Sequence, residues 1–312
     1  MAMTPTFSII IPHYDIPDLL MRCLKSIPVS KEIQVIVVDD NSPDADTYLE
    51  RYPELSRPYL EFIRAPKNGG AGYARNIGLN HAKGKWQMFA DADDFFVEDM
   101  YDILSSNADS EADVIFFRKK SVLSDNTDTK TNKFAYIDEK IDKYLSNGDE
   151  WPIRYRLYVP WGKMIKRDLI IKYNIRFEEV RNADDVYFSL LVGYHAKTIE
   201  VVNKVLYVLA YRSNSLTANF NSKPNVLRIW AEVHCRSDIF LHQHHICRER
   251  IMKHYLLVML SKDRKLFKYY FFKLDEFYPS KLSALRDISK DKSIRFKIKF
   301  YLYSFLIWTR VV

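Results

Sequence analysis

The feature that most constrains this chain is an alternation near its start, in which short β-branched runs are each followed by a segment of helical spacing. Phe7-Ser8-Ile9-Ile10-Ile11 is such a run, ended by Pro12, and reads as a buried strand. Leu19, Leu20, Cys23, Leu24 and Ile27 recur at helical intervals across Asp18 to Ile27, and Ile33 to Val38 returns to a strand pattern. Leu60 to Ile63 predicts a third strand, Gly69-Gly70 a turn, Ala71 to Ala82 a helix and Trp86 to Ala90 a fourth strand. Alternation of this kind implies a largely parallel sheet covered by helices, with ligands beyond the carboxyl ends of its strands. Two of those ends are acidic: Asp39-Asp40 and Asp91-Ala92-Asp93-Asp94.

Past Asp94 the pattern loosens. A helix is expected near Val97 to Asn107, a strand at Val114 to Arg118, an exposed polar loop from Ser124 to Lys133, a late strand at Val205 to Tyr211, and mainly helix from Asn225 onward. At 312 residues and 47% apolar content the chain has material for one large domain and an appendage. The expected division is a domain at 1–218, in two halves at 1–105 and 106–218, followed by a basic helical extension at 219–312.

Charge supports that division. Residues 1–218 carry 28 Lys/Arg against 32 Asp/Glu, whereas 219–312 carry 19 against 8. So basic a segment predicts an anionic partner, either nucleic acid or the inner face of a membrane. No helix-turn-helix, RRM or zinc-finger pattern accompanies it, which weighs against nucleic acid. Cys23, Cys235 and Cys247 are odd in number and far apart, so a reducing compartment is expected rather than a disulfide framework. Neither a signal-peptide pattern nor a run of roughly 18 apolar residues is present, so a cytoplasmic protein that rests on the inner face of the membrane is the expectation.

A single Asp at a strand end commonly caps the next helix. Two clusters on one sheet edge ask for more, because Asp91 and Asp93, at i and i+2 on a turn, can direct both carboxylates to one point. That arrangement suits a hard divalent cation, Mg²⁺ or Mn²⁺, of the kind that neutralises a diphosphate.

The motifs resemble those of the inverting GT-A glycosyltransferases of family 2, the group that builds bacterial surface polysaccharides. Four matches carry the resemblance over roughly the first 95 residues: Phe7 to Asp15, Val37-Val38-Asp39-Asp40-Asn41-Ser42, Asn68 to Leu79 (with Ala74-Arg75-Asn76) and Phe89 to Asp94. It implies an α/β, GT-A (Rossmann-like) mixed, mostly parallel sheet flanked by helices, with a C-terminal helical extension. It also implies that Pro12, Tyr14 and Asp40 line a base pocket, with Asp40 reading the edge of a uracil. Arg75 would face the donor diphosphate, Asp91 the ribose or the metal, and Asp93 the metal. Asp94 is expected to cap a helix. Departures from the family pattern are His13, in a variable slot, and Asp15, where Asn is usual and a turn or capping role serves equally well.

Phe177 to Phe188, with Asp184-Asp185, resembles the family's later acidic segment, whose second acid takes the acceptor's proton; this puts the base at Asp185. Asp184 stands where Glu is commoner, and an N-terminal helix cap is a compatible reading of both acids. Trp161-Gly162-Lys163 resembles another family segment, in which Trp161 would either wall a sugar or sit in the core. Tyr211-Arg212, followed by Ser215, resembles a late motif near the donor phosphates. The implied activity is transfer from a nucleotide-sugar donor, expected to be a UDP-sugar, to a glycan or lipid-linked acceptor; the alternative is a catalytically idle assembly subunit.

Two features of the extension remain. His242, His244, His245 and Cys247 suggest zinc by residue type, but only His242 and His245 share a helical face, so an ordinary helix surface is expected. Ser293 to Arg310 mixes basic and aromatic residues without an acid, which reads as an interfacial helix, with a final core helix as the other possibility.

Overall fold

The computed structural model describes residues 4–212, 224–276, 278–290 and 292–308. Chain contacts divide it into two units, 1–219 and 220–312. Ser215 and the expected boundary at 218/219 lie outside the described residues.

Among the described residues the first unit has nine strands: β1 (Phe7–His13), β2 (Ile33–Asp39), β3 (Leu60–Arg64), β4 (Trp86–Phe89), β5 (Phe95–Phe96), β6 (Val114–Leu123), β7 (Lys130–Thr131), β8 (Lys163–Lys166) and β9 (Ile199–Tyr211). Their order is β3-β2-β1-β4-β8-β6-β9-β5, with β7 beside β6. The pairs among β1 to β4 are all parallel. Strand β8 then runs antiparallel between β4 and β6, and β9 lies parallel to β6. A mixed, mostly parallel sheet is thus present, and β1, β2 and β4 are almost wholly buried, as continuous apolar runs in a doubly covered sheet should be.

Pro12 does not end β1; pairing with β2 continues to His13. Ile10 has the same parity as Pro12 and faces β4, accepting the Ala90 N–H. Beyond Ala90 that neighbour has ended, so the N–H that Pro12 lacks has no strand to serve. Helix Ala71–His81 packs on β1 at Gly78, where a Cβ would stand 2.4 Å from Ile10 Cγ2.

Three expectations in the middle of the chain are corrected. The helix foreseen at Val97 to Asn107 is confined to Met100–Ser105, because the pairing of Phe95 and Phe96 with β9 carries on to Val97, whose N–H is donated to Leu206 O at 3.2 Å. The strand foreseen at Val114 to Arg118 runs on to Leu123, shifting register around Arg118, and the polar loop after it contains β7. Isolated propensity is overridden here by long-range pairing.

The second unit is helical: Pro224–Gln243, Met252–Lys262, Arg264–Phe272, Lys281–Ser289 and Ile294–Trp308. Its core includes Ala231, Leu256, Met259, Phe267 and Phe271, joined by Phe300 and Ile307 of the last helix. That helix buries these two residues while Phe305 and Trp308 are exposed, so core packing accounts for one side of it. No described helix is long and apolar enough to cross a membrane.

Candidate active site

The first acidic cluster divides its labour. Asp39 is fully buried and binds Ser42 through the backbone N–H at 2.8 Å and the hydroxyl at 2.6 Å. His13 Nδ1 lies 2.8 Å from the same carboxylate, while His13 Nε2 accepts the Ile16 N–H at 3.2 Å; the ring proton therefore sits on Nδ1 and is donated to Asp39. Burial alone would raise the Asp39 pKa, but the hydrogen bonds from His13 and Ser42 outweigh it and hold the carboxylate below its ordinary range. Asp40 accepts the Gly69 and Gly70 N–H groups, each at 2.7 Å, one on each oxygen. Gly70 has φ of +91°, a conformation suited to glycine, so the turn and the carboxylate that grips it are matched. Tyr14 is 47% exposed just past β1, Pro12 is partly exposed, and Asp40 is buried.

The second cluster meets the distant acids through one side chain. Arg75, 5% exposed, donates from Nη2 to Asp91 Oδ1 at 2.6 Å and from Nη1 to Asp184 Oδ2 at 2.5 Å, with its guanidinium 5.3 Å from the centroid of Phe177. Burial works against the charge on Arg75, but Asp184 and Asp91 more than compensate and keep it protonated. The resemblance placed Arg75 toward a diphosphate; in the structure both terminal nitrogens are engaged by carboxylates. The same helix secures the segment at 177–188 through Asn76, whose side chain donates to Phe177 O at 3.0 Å and accepts the Phe177 N–H at 2.9 Å. Phe177 and Phe188 stack with centroids 3.8 Å apart, and both meet Phe89 edge-on. The three phenylalanines of the 89–94 and 177–188 segments therefore form one apolar support.

Asp93 pairs with Arg212 Nη2 at 2.6 Å, and its backbone carbonyl accepts from Arg22 Nη2 at 2.5 Å. Burial, followed by the nearby Asp91 charge, raises the Asp93 pKa. Asp94 is corrected from a helix cap to a sheet clamp: its Oδ1 accepts the Ala210 N–H of β9 at 2.8 Å. Burial and then the charges of Asp93 and Asp91 push it well above the ordinary carboxylate range. Trp161 is 6% exposed and stacks on Tyr207, at 5.3 Å between centroids and 10° between planes. The Tyr207 hydroxyl accepts the Asp91 N–H at 2.8 Å, so Trp161 backs the acidic loop from within the core.

Helix Asp184–His195 begins on the Asp184-Asp185 pair itself. Ala183 precedes it with φ of +60°, an unusual conformation for a residue with a Cβ and one held here by the surrounding contacts. Both acids sit in the first helical turn, where the helix dipole favours negative charge. Burial, then the Asp184 charge, pushes Asp185 up to about 7. A carboxylate poised there suits a general base at neutral pH. The sequence reading missed Asn76, the anchoring by Arg22, and Gly72, where a Cβ would stand 2.1 Å from Glu178 O, although Asn76 and Gly72 both lay inside a quoted motif.

Asp91 and Asp93 fit a divalent cation in donor type and in crowding of like charge. Among the described residues no group of three or more His, Cys, Asp or Glu is gathered as a complete cage, and this applies equally to the 242–247 cluster. An ion at Asp91 and Asp93 would take its remaining ligands from phosphate oxygens and water, the usual habit of Mg²⁺.

An open sheet, parallel through β1 to β4 and closed by antiparallel strands, with acids at its carboxyl edge, defines the GT-A class of fold. The chain belongs to glycosyl transferase family 2, whose family profile matches residues 8–173. EpsH of Bacillus subtilis is 24% identical over 228 residues, covering 70% of this chain and 65% of EpsH. The poly(ribitol-phosphate) β-N-acetylglucosaminyltransferase TarS of Staphylococcus aureus is 26% identical over 212 residues, 65% of this chain and 35% of TarS. The chain therefore spans just under two thirds of EpsH and about a third of TarS. The solved structure of TarS 1–349 in complex with UDP-GlcNAc superposes with a TM-score of 0.62 at 19% identity, covering 97% of this chain and 88% of that one.

Proposed function

We propose that this chain is an inverting glycosyltransferase that passes a sugar from a UDP-sugar to a glycan or lipid-linked acceptor in surface-polysaccharide synthesis. The observation that carries the reading is the Asp91–Arg75–Asp184 bridge, which draws the acidic loop after β4 and the base helix onto one guanidinium. The two ends of a single displacement, leaving group and incoming nucleophile, must lie about this close together.

In the proposed reaction Asp185 accepts the proton of an acceptor hydroxyl as its oxygen attacks the anomeric carbon. The bond from that carbon to the diphosphate breaks on the opposite face, and the nucleoside diphosphate leaves with the electron pair. Asp93 and Asp91 would hold Mg²⁺ or Mn²⁺, which when bound supplies positive charge beside the diphosphate. Asp40, Pro12 and Tyr14 would seat the base; a uracil N–H has to share an Asp40 oxygen already bonded to Gly69 or Gly70. Arg212 would turn from Asp93 to the phosphates, and Asp184 would shape the acceptor side while Arg75 holds it.

The test is turnover across a panel of nucleotide sugars with and without Mn²⁺. Asp93→Asn and Asp185→Asn should each reduce kcat by about 10²- to 10⁴-fold while the protein stays folded; full activity in both would refute the assignment. The exposed Phe305 and Trp308 and the basic charge of 219–312 support peripheral contact with an anionic membrane. Flotation with phosphatidylglycerol vesicles should depend on salt, and protein that fails to float at low salt would exclude that contact.

A further inference from the structure

Strand β9 and the residue after it meet all three acids of the loop that follows β4, each in a different way. The Tyr207 hydroxyl accepts the Asp91 N–H at 2.8 Å, the Ala210 N–H is donated to Asp94 Oδ1 at 2.8 Å, and Arg212 donates from Nη2 to Asp93 Oδ2 at 2.6 Å. The first two hold the loop itself, one through its backbone and the other through a carboxylate that is buried. Arg22 adds a third hold, donating to the Asp93 carbonyl at 2.5 Å and to Ser124 O at 2.8 Å. The loop thus has three anchors that do not involve Arg212.

The two arginines that pair with carboxylates of this loop differ in how firmly they are held. The Arg75 side chain is 6% exposed and bonded to both Asp91 and Asp184, so its departure would leave buried charge unpaired. The side chains of Arg212 and Asp93 are 34% and 27% exposed, and Asp93 is the one carboxylate paired with Arg212 among the described residues. Water can solvate either partner, so this pair separates at low cost. Arg212 Nε is buried and has no hydrogen-bond partner among the described residues, which leaves a donor unspent in this pairing. Guanidinium donors match phosphate oxygens in geometry and in charge. A guanidinium in contact with Asp93 and a divalent cation held by the same carboxylate would be like charges at close range, and they repel.

We propose that Arg212 and a divalent cation compete for Asp93, and that the donor diphosphate ends the competition by drawing Arg212 to itself, so that ion and nucleotide each bind better in the other's presence. The proposal rests on the reading of Asp91 and Asp93 as metal ligands. It adds a coupling between ion and donor that passes through one exchangeable side chain, and such a coupling is reciprocal.

The readout is the affinity of the full chain for Mn²⁺, titrated by electron paramagnetic resonance with and without UDP. Arg212→Met should bind Mn²⁺ alone about fivefold more tightly than the wild type, the upper end for a half-exposed ion pair. The tightening that UDP brings should shrink by the same factor. Arg212→Gln should behave alike and carries the test if Arg212→Met fails to fold, while Arg212→Lys keeps the charge and should restore most of the wild-type behaviour. Lys133, whose ammonium lies 4.7 Å from the centroid of Tyr211, is the control for charge alone. Lys133→Met should leave Mn²⁺ affinity within about twofold of the wild type, because an exposed charge out of contact is screened. Adding Asp93→Asn to Arg212→Met should remove the gain. Unchanged Mn²⁺ affinity in both Arg212→Met and Arg212→Gln, an equal gain in Lys133→Met, or a gain that survives Asp93→Asn would overturn the proposal. No Mn²⁺ binding by any of these proteins with UDP present would instead overturn the metal assignment itself.

Discussion

Gly72→Ala sets two physical effects against each other. Gly72 is the second residue of helix Ala71–His81, and by helix propensity alone an alanine in a helix interior gains up to about 1 kcal/mol over glycine. The tertiary contacts oppose this gain. A Cβ at position 72 would stand 2.1 Å from the Glu178 carbonyl oxygen and 2.9 Å from Asp184 Cβ. The Glu178 carbonyl would have to retreat by about 1 Å to reach ordinary van der Waals contact. It belongs to backbone, and Glu178 N–H is bonded to Asp184 O at 3.2 Å, so the base segment moves with it.

Overpacking of this kind costs about 1 to 3 kcal/mol, which outweighs the propensity gain. For a unit of this size a net loss of 1 to 2 kcal/mol lowers the melting temperature by about 2 to 8 °C. Catalysis should suffer more than stability, because displacing a reacting group by about 1 Å costs on the order of 10²-fold in kcat. Thermal unfolding followed by circular dichroism, together with kcat and donor KM on the best nucleotide sugar, measures both effects, and donor KM should stay within about twofold if the shift is confined to the base side. A Gly72→Ala protein as stable and as active as the wild type would refute the claim that helix Ala71–His81 and the base segment touch backbone to backbone.

Three further outcomes are expected. Arg75→Met leaves Asp91 and Asp184 without their shared partner and should destabilise the protein by about 3 to 5 kcal/mol at pH 8 in urea unfolding, with a smaller penalty at pH 5 as Asp184, whose pKa burial raises, takes up a proton. Asp39→Asn should cost about 1.5 to 3 kcal/mol near pH 6. Because the folded Asp39 pKa is depressed, its contribution is present above the unfolded value of about 3.9 and is lost as pH falls through the folded value, so urea midpoints of mutant and wild type should converge toward pH 3. Asp185→Asn should be more stable than the wild type at pH 8 though inactive. The folded Asp185 pKa is raised to about 7, so wild-type stability falls between about pH 4 and 7 as the unfolded chain ionises first, and the advantage of the mutant should grow over that window; a difference independent of pH would contradict it.

Much of this architecture was legible from local pattern. Buried β-branched runs mark β1 and β2 wherever they occur, because a strand covered on both faces has no need of alternation. Asp40, Asp91 and Asp93 stood out because polar residues directly after such runs fall on the sheet's ligand-facing edge, whereas Asp185 stood out only through the resemblance of Phe177 to Phe188 to the family's later acidic segment. The chain order of the motifs carried the family as well.

What the sequence did not contain was partnership across distance. Arg75 reaches Asp184 over 109 residues, Asp94 reaches Ala210 over 116, and Arg212 reaches Asp93 over 119. No periodicity encodes such pairs, since each depends on where the folded chain returns. That return turned Asp94 from a helix cap into a clamp on β9, shortened the helix after β5, and put Trp161 behind Tyr207. The same closure buried Asp185 beside like charges, which gives an ordinary aspartate its raised pKa. Sequence determined which residues stand at the edge of the sheet, and tertiary structure decided which of them share charge, because electrostatic energy depends on distance and burial rather than on position in the chain.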